Sequence, residues 1–123
     1  MKLENKSVKQ LKAQLDKVFS IWIRERDNHT CVTCGKKMKS NESQCGHYIS
    51  RGKNNTRFSE INCNCQCSGC NIFKGGNMPA YTIFLERKYG YGIIQKLKKE
   101  GDTIKQFKEK ELIELIKKYD KKN

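Results

Sequence analysis

The chain has 123 residues, with 26 Lys+Arg against 13 Asp+Glu for a formal net charge of +13, and seven cysteines. That length suits one domain with a modest core. No apolar run reaches membrane-span length, and an odd cysteine count without a recognisable secretory leader disfavours a disulfide-stapled secreted scaffold. The expectation is a soluble, intracellular protein that keeps its thiols reduced for metal and carries enough positive charge for a polyanion such as DNA or RNA.

Taken in order, residues 8–26 predict an amphipathic helix: Val8, Leu11, Leu15, Val18, Phe19 and Trp22 recur at spacings of three and four, and Ser7 with Gln10 fits a capping box. Its end, Arg24-Glu25-Arg26-Asp27, offers phosphate contacts on one reading and a solvated charged terminus on the plainer one. A polar turn at residues 27–30 delivers Cys31; His29 lies outside the knuckle spacing and is not assigned to metal.

Residues 31–77 hold the chemistry. Cys31-Val32-Thr33-Cys34 and Cys67-Ser68-Gly69-Cys70 are Cys-x-x-Cys knuckles separated by 32 residues. Two such knuckles in a short chain can wrap a tetrahedral Zn²⁺ with four thiolates, a closed structural site that cannot activate water. Between them, Gln44 to Ile49 reads as extended, Arg51-Gly52-Lys53-Asn54-Asn55 as a turn, and Thr56 to Cys65 as a second strand or extended arm. If residues 62–67 are extended, Cys63, Cys65 and Cys67 share a face, so spacing alone assigns Cys67 to the zinc. Cys45, Cys63 and Cys65 read as small buried hydrophobes.

A short helix is expected from about Cys67 to Gly75-Gly76. Pro79 opens another, with Tyr81, Phe84 and Leu85 on its apolar face and Gly90 at its end. Ile93, Ile94 and Leu97 mark a further piece broken at Gly101-Asp102. A capping box of Thr103 and Gln106 then opens a last helix carrying Ile104, Phe107, Leu112, Leu115, Ile116 and Tyr119. The expected organisation is a single domain over 1–123, with an N-terminal helix (8–26), a zinc-containing core (31–77) and C-terminal helices (78–119).

Within that core, which carries seven Lys/Arg and two Asp/Glu, His47 is the side chain best suited to deprotonate water near neutral pH. Asn71, beside the last knuckle cysteine, can offer an amide oxygen to Mg²⁺ or Mn²⁺, and Lys74 can reach a phosphate. Taken alone, Asn71 is better read as a helix cap and Lys74 as a solvated side chain.

The ordered set Cys-x-x-Cys, Gly46-His47-Tyr48, Arg57-Phe58-x-Glu60-x-Asn62, then Cys67-x-x-Cys70-Asn71-x-x-Lys74-x-Gly76 resembles the NinG (Rap) family of phage recombination nucleases. The likeness starts at Ile23-Arg24-Glu25-Arg26-Asp27 and covers roughly residues 15–95. That family is related to the HNH, or ββα-metal, endonucleases, including phage endonuclease VII. The resemblance implies an α+β fold with a ββα-metal (HNH-like) zinc core flanked by helices. It also implies a metal-dependent endonuclease for branched DNA such as D-loops and Holliday junctions, working in the cytoplasm of a bacterial host. His47 would be the general base, Asn62 the residue that fixes the loop, and Asn71 the ligand of a catalytic Mg²⁺ or Mn²⁺. Lys74, Arg51, Lys53 and Arg57 are the candidate nucleic-acid contacts, and a homodimer is one way to supply the two sites that symmetric junction cutting needs. One departure stands out: the metal-binding Asp that precedes the base in endonuclease VII-type sites is Gly46 here, which leaves His47 open to being a ligand instead. The alternatives are a non-catalytic zinc-stabilised nucleic-acid-binding module and a protein-binding zinc module.

Overall fold

In the computed structural model, which describes residues 1–120, the capping box forms as expected. Ser7 Oγ accepts from the Gln10 backbone N–H at 3.1 Å and Gln10 Oε1 accepts from the Ser7 N–H at 2.9 Å, starting α1 (Val8–Arg26). Leu11, Leu15, Phe19 and Ile23 lie on one stripe and are fully buried against Leu112, Ile116 and Tyr119 of α5 (Glu109–Tyr119). Phe19 and Tyr119 meet edge to face with ring centroids 4.8 Å apart. The apolar faces of these two helices are thus spent inside the monomer.

Two short strands, β1 (Ser43–His47) and β2 (Cys63–Cys67), pair antiparallel, with Gln44 opposite Gln66, Cys45 opposite Cys65, Gly46 opposite Asn64 and His47 opposite Cys63. Because side chains alternate across the pleat, the hairpin has two distinct faces. Cys45, His47 and Cys63 belong to the face that joins the α1–α5 core. Gly46, Asn64 and Gln66 belong to the other, where the Tyr81 hydroxyl of α3 (Met78–Tyr89) donates to the Gly46 carbonyl at 2.7 Å and accepts from Asn64 Nδ2 at 3.0 Å. Tyr81 and Leu85 continue into a second core with Ile93 and Leu97 of α4 (Ile93–Asp102).

Two expectations need correction. The extended arm from Thr56 is instead α2 (Asn54–Arg57), held by Asn54 Nδ2 to the Lys105 carbonyl and Asn55 Nδ2 to the Glu100 carbonyl, both 3.0 Å. The helix that begins at Ile93 ends at Gly101-Asp102 as expected, and Gly101 is also buried, where an added Cβ would stand 3.0 Å from Ile49 Cγ2. The Thr103–Gln106 capping box does not form; residues 103–108 are not helical, α5 starts at Glu109, and Ile104 is exposed. The α+β expectation holds with one two-stranded sheet. After β2, where the sequence predicts a short helix from about Cys67 to Gly75-Gly76, comes a five-residue π-helical turn, Gly69–Phe73.

Candidate metal centre and adjoining cleft

The end of α1 builds the first knuckle. Asn28 and His29 both take left-handed backbone (φ 52° and 51°), turning the chain back so that Cys31 N–H donates to the Lys36 carbonyl at 2.8 Å and Val32 N–H to the Cys65 carbonyl at 2.9 Å. The knuckle therefore closes the outer edge of β2. Asp27 completes that edge by accepting the Cys65 N–H on Oδ2 at 2.9 Å, while Arg26 pairs with Asp27 and donates to the Glu60 and Cys63 carbonyls. The charged helix end is thus not a solvated terminus. It supplies hydrogen bonds that a buried strand edge would otherwise lack.

Cys31, Cys34, Cys67 and Cys70 come together with all four sulfurs within 4.8 Å of one another. Cys34 and Cys67 Sγ are 3.7 Å apart, and a tetrahedral Zn²⁺ with about 2.3 Å Zn–S bonds requires about 3.8 Å between sulfurs. The donor set therefore fits zinc. Further donors face the sulfurs: Cys70 N–H to Cys67 Sγ at 3.4 Å and Asn77 Nδ2 to Cys70 Sγ at 3.5 Å. Burial opposes ionisation of Cys31, but hydrogen bonds from the Thr33 hydroxyl and nearby backbone amides outweigh it and bring that thiol down to about 6. A backbone hydrogen bond at Lys36 favours the Cys34 thiolate, yet burial and the three neighbouring sulfurs push that thiol up to about 12. One thiolate forms readily and further ones repel it, which is the electrostatic demand a divalent cation meets. His29 stays outside the cluster, its Nδ1 2.8 Å from Ser43 Oγ.

His47 sits at the end of β1, on the α1 face. With Cys45, Ser43, Gln44 and Arg51 it lines a cleft of about 300 Å³ whose other wall is Asp16, Phe19, Ser20 and Arg24 of α1. Its Nε2 is 2.9 Å from the Arg57 carbonyl oxygen. A carbonyl only accepts, so Nε2 carries the proton and Nδ1 the free electron pair. Burial is the main influence on this imidazole and holds it below the ordinary histidine range, against the opposing pull of the Arg57 carbonyl and Asp16. His47 is therefore neutral near pH 7, as a general base or a metal ligand must be. Asn62 is fully buried and acts as a clamp: Oδ1 accepts from Ile49 N–H at 2.7 Å, and Nδ2 donates to the Ile49 and Thr56 carbonyls at 3.0 and 3.1 Å. It fixes both ends of the loop that follows His47.

Asn71 lies elsewhere. Its Nδ2 donates to Gln44 Oε1 at 2.8 Å, and Gln44 alternates with His47 across the pleat, although both border the cleft. On the same side as Gln44, a Cβ at Gly46 would fall 1.9 Å from Gln66 Oε1 and 2.7 Å from Gln66 Cδ, so the Gln66 carboxamide occupies the room an Asp at 46 would need. Gln66 Nε2 donates to the Gly76 carbonyl at 2.8 Å and to Thr33 Oγ1 at 3.1 Å, and Oε1 is buried without a hydrogen-bond partner among the described residues. The oxygen donors on this side, from Gln44, Gln66 and Asn71, are all neutral amides. They suit a hard cation by type, but Mg²⁺ ordinarily takes one or two carboxylates as well, so this set fits only an ion whose remaining ligands are phosphate and water.

The basic residues divide. Arg57 is tied to Asp16 by two hydrogen bonds, 3.0 Å from Nε and 2.5 Å from Nη2, both side chains mostly buried. Lys53 lies 3.7 Å from Asp102 in an exposed pair, which holds little energy and leaves the charge usable. Arg51 is exposed on the cleft wall, and Lys74 is exposed beside Ile72 and Phe73, which are 60% and 84% exposed. Sequence reasoning missed Asp16, which is 41 residues from the arginine it anchors, and Gln66. The second was accessible: cysteines alternating at 63, 65 and 67 place residues 64 and 66 together on the opposite face.

The family model described as "Bacteriophage Lambda NinG protein" matches residues 1–123. Protein ninG of Salmonella phage P22 is 30% identical over 89 residues, 71% of this chain and 43% of that protein. Protein ninG of Escherichia phage lambda is 31% identical over 86 residues, 68% of this chain and 42% of that protein, and the same figures hold for protein ninG of Escherichia phage 933W. The chain thus spans less than half the length of these relatives. No solved structure matches. No helix among the described residues is long and apolar enough to cross a membrane.

Proposed function

The chain belongs to the NinG family, and we propose on that premise that it is a metal-dependent endonuclease acting on branched DNA of recombination, such as D-loops and Holliday junctions, in the bacterial host cytoplasm. The observation that carries this reading is the neutral, partly buried His47 in a cleft walled by Arg24 and Arg51. A phosphodiester held by the two arginines would sit beside an imidazole whose Nδ1 can take a proton from water, while Nε2–H stays anchored on the Arg57 carbonyl. Asp16 keeps Arg57 in place, and Asn62 keeps the loop in place, so both are positioning residues. A Mg²⁺ or Mn²⁺ bound through Asn71, with Gln44 beside it, would neutralise charge developing on the phosphate. Lys53 and Lys74 extend the basic surface for the flanking strands. The relation to HNH and endonuclease VII-type enzymes, with His47 as base and Asn71 as cation ligand, is part of this proposal, as is a homodimer for symmetric cutting.

The all-amide donor set favours a second reading, a zinc-stabilised module that binds branched DNA without cutting it. Wild type, His47→Ala and Asn71→Ala assayed on linear, forked and four-way DNA in Mg²⁺ or Mn²⁺ separate the two. The nuclease reading expects His47→Ala to lower cutting by about 10²–10⁴-fold with binding retained. Binding by wild type with no nicks in either ion would establish the module instead.

A further inference from the structure

The hairpin brings together a second set of metal-binding groups that cysteine spacing does not announce. Cys45 and His47 are two residues apart on β1, and Cys63 stands directly opposite His47 on β2. The two sulfurs and an imidazole nitrogen lie within 4.8 Å of one another. Cys63 Sγ and His47 Nε2 both point at the Arg57 carbonyl oxygen, at 3.4 and 2.9 Å, so the groups converge rather than merely neighbour one another.

We propose that Cys45, His47 and Cys63 form a second site for a thiophilic divalent cation, Zn²⁺ being the natural occupant. Two thiolates and one imidazole select a soft or borderline ion over Mg²⁺. Two thiolates also cancel the charge of a divalent ion, which a site with Cys63 at 0% exposure requires. Tetrahedral geometry needs about 3.8 Å between sulfurs, and with the ligand atoms no more than 4.8 Å apart closing asks for movements of at most about 1 Å. Three protein ligands leave the fourth position open, the arrangement of a reactive rather than a structural zinc. Cys45 and His47 line the cleft while Cys63 lies behind them, so that position faces the Arg24–Arg51 cleft. An ion here also engages His47, so metal binding and the proton-accepting role are alternatives for the same side chain. The site itself does not depend on nuclease activity.

The test counts metal on the full chain. After saturation with Zn²⁺ and gel filtration, elemental analysis should give two zinc per wild-type chain and one per Cys45→Ala chain. One zinc in wild type, or two in folded Cys45→Ala, overturns the site. Wild type alone gives a second measurement that no folding defect can confuse. Protein holding one Zn²⁺ is titrated with Co²⁺, and the second equivalent should bring thiolate-to-cobalt charge-transfer absorption with the visible bands of four-coordinate Co²⁺; a flat spectrum sinks the proposal. Failure here and failure of the nuclease reading look different. One ion per chain with cutting lost in His47→Ala removes this site and keeps the base, whereas two ions with cutting intact in His47→Ala keeps the site and removes the base.

Discussion

The two cysteine clusters of this protein are built in opposite ways. In the knuckle cluster each pair of ligands comes from one tight loop, so Cys31 with Cys34 and Cys67 with Cys70 are near neighbours before the chain folds; Cys31, Cys67 and Cys70 are buried beside Met38 and Cys34 stands at the exposed rim. In the hairpin cluster Cys63 and His47 meet only because β1 and β2 adopt one register, and a slip of one residue would send His47 to the opposite face. Local loops give a closed, four-sulfur site suited to holding structure. Strand pairing gives an incomplete site that opens on a cleft, the kind of place where chemistry can be done.

The sharpest way to break this contrast is to remove a knuckle ligand. Cys31→Ala or Cys70→Ala should abolish cooperative folding, because structural zinc binding is worth on the order of 10 kcal/mol and is coupled to folding. Elemental analysis finding no zinc in soluble, cooperatively folded wild type would contradict it. Cys45→Ala, by comparison, should still unfold cooperatively on heating.

Next in size is Asn62→Ala. It leaves the Ile49 N–H and the Ile49 and Thr56 carbonyls without their side-chain partners, for an expected loss of about 3–4 kcal/mol. Urea denaturation measures it, and hydrogen exchange should show the loop after His47 loosened while the knuckles keep their protection. Equal loosening of both regions would mean the two clusters are one cooperative unit.

Gly46→Asp tests the other side of the hairpin. The new side chain must displace the Gln66 carboxamide from Gly76 and Thr33, at an expected cost of about 2–3 kcal/mol. Adding Gln66→Ala should recover most of that loss. A fully stable Gly46→Asp single variant would show that Gln66 is not what excludes an acid here.

The smallest effect is in pH. Burial lowers the His47 pKa, so the neutral, proton-accepting form persists as pH falls below the ordinary histidine value of about 6.5. The acid limb of any cutting rate should therefore lie below that value. A limb above it would assign the controlling proton to another group.

Much of this was legible in the chain itself. The Ser7–Gln10 capping box, the α1 stripe, the Gly90 stop and the knuckles all depend on residues within a few positions of one another, and local physics fixes them. The failures share a cause too. Thr56 begins a run that reads as extended, yet Asn54 and Asn55 bond the Lys105 and Glu100 carbonyls and hold it in α2. Arg26 and Asp27 look like a solvated terminus, yet the edge of β2 claims them.

By itself, then, the sequence determined the four-sulfur site and the positive charge that points to a polyanion, because ligand spacing and composition survive any folding. Only the tertiary structure decided that Cys45 and Cys63 join His47, that Gln66 fills the space beside Gly46, and that Asp16 holds Arg57. Each depends on strand register or helix docking across 16 or more residues, where contact is set by packing and leaves no short-range mark.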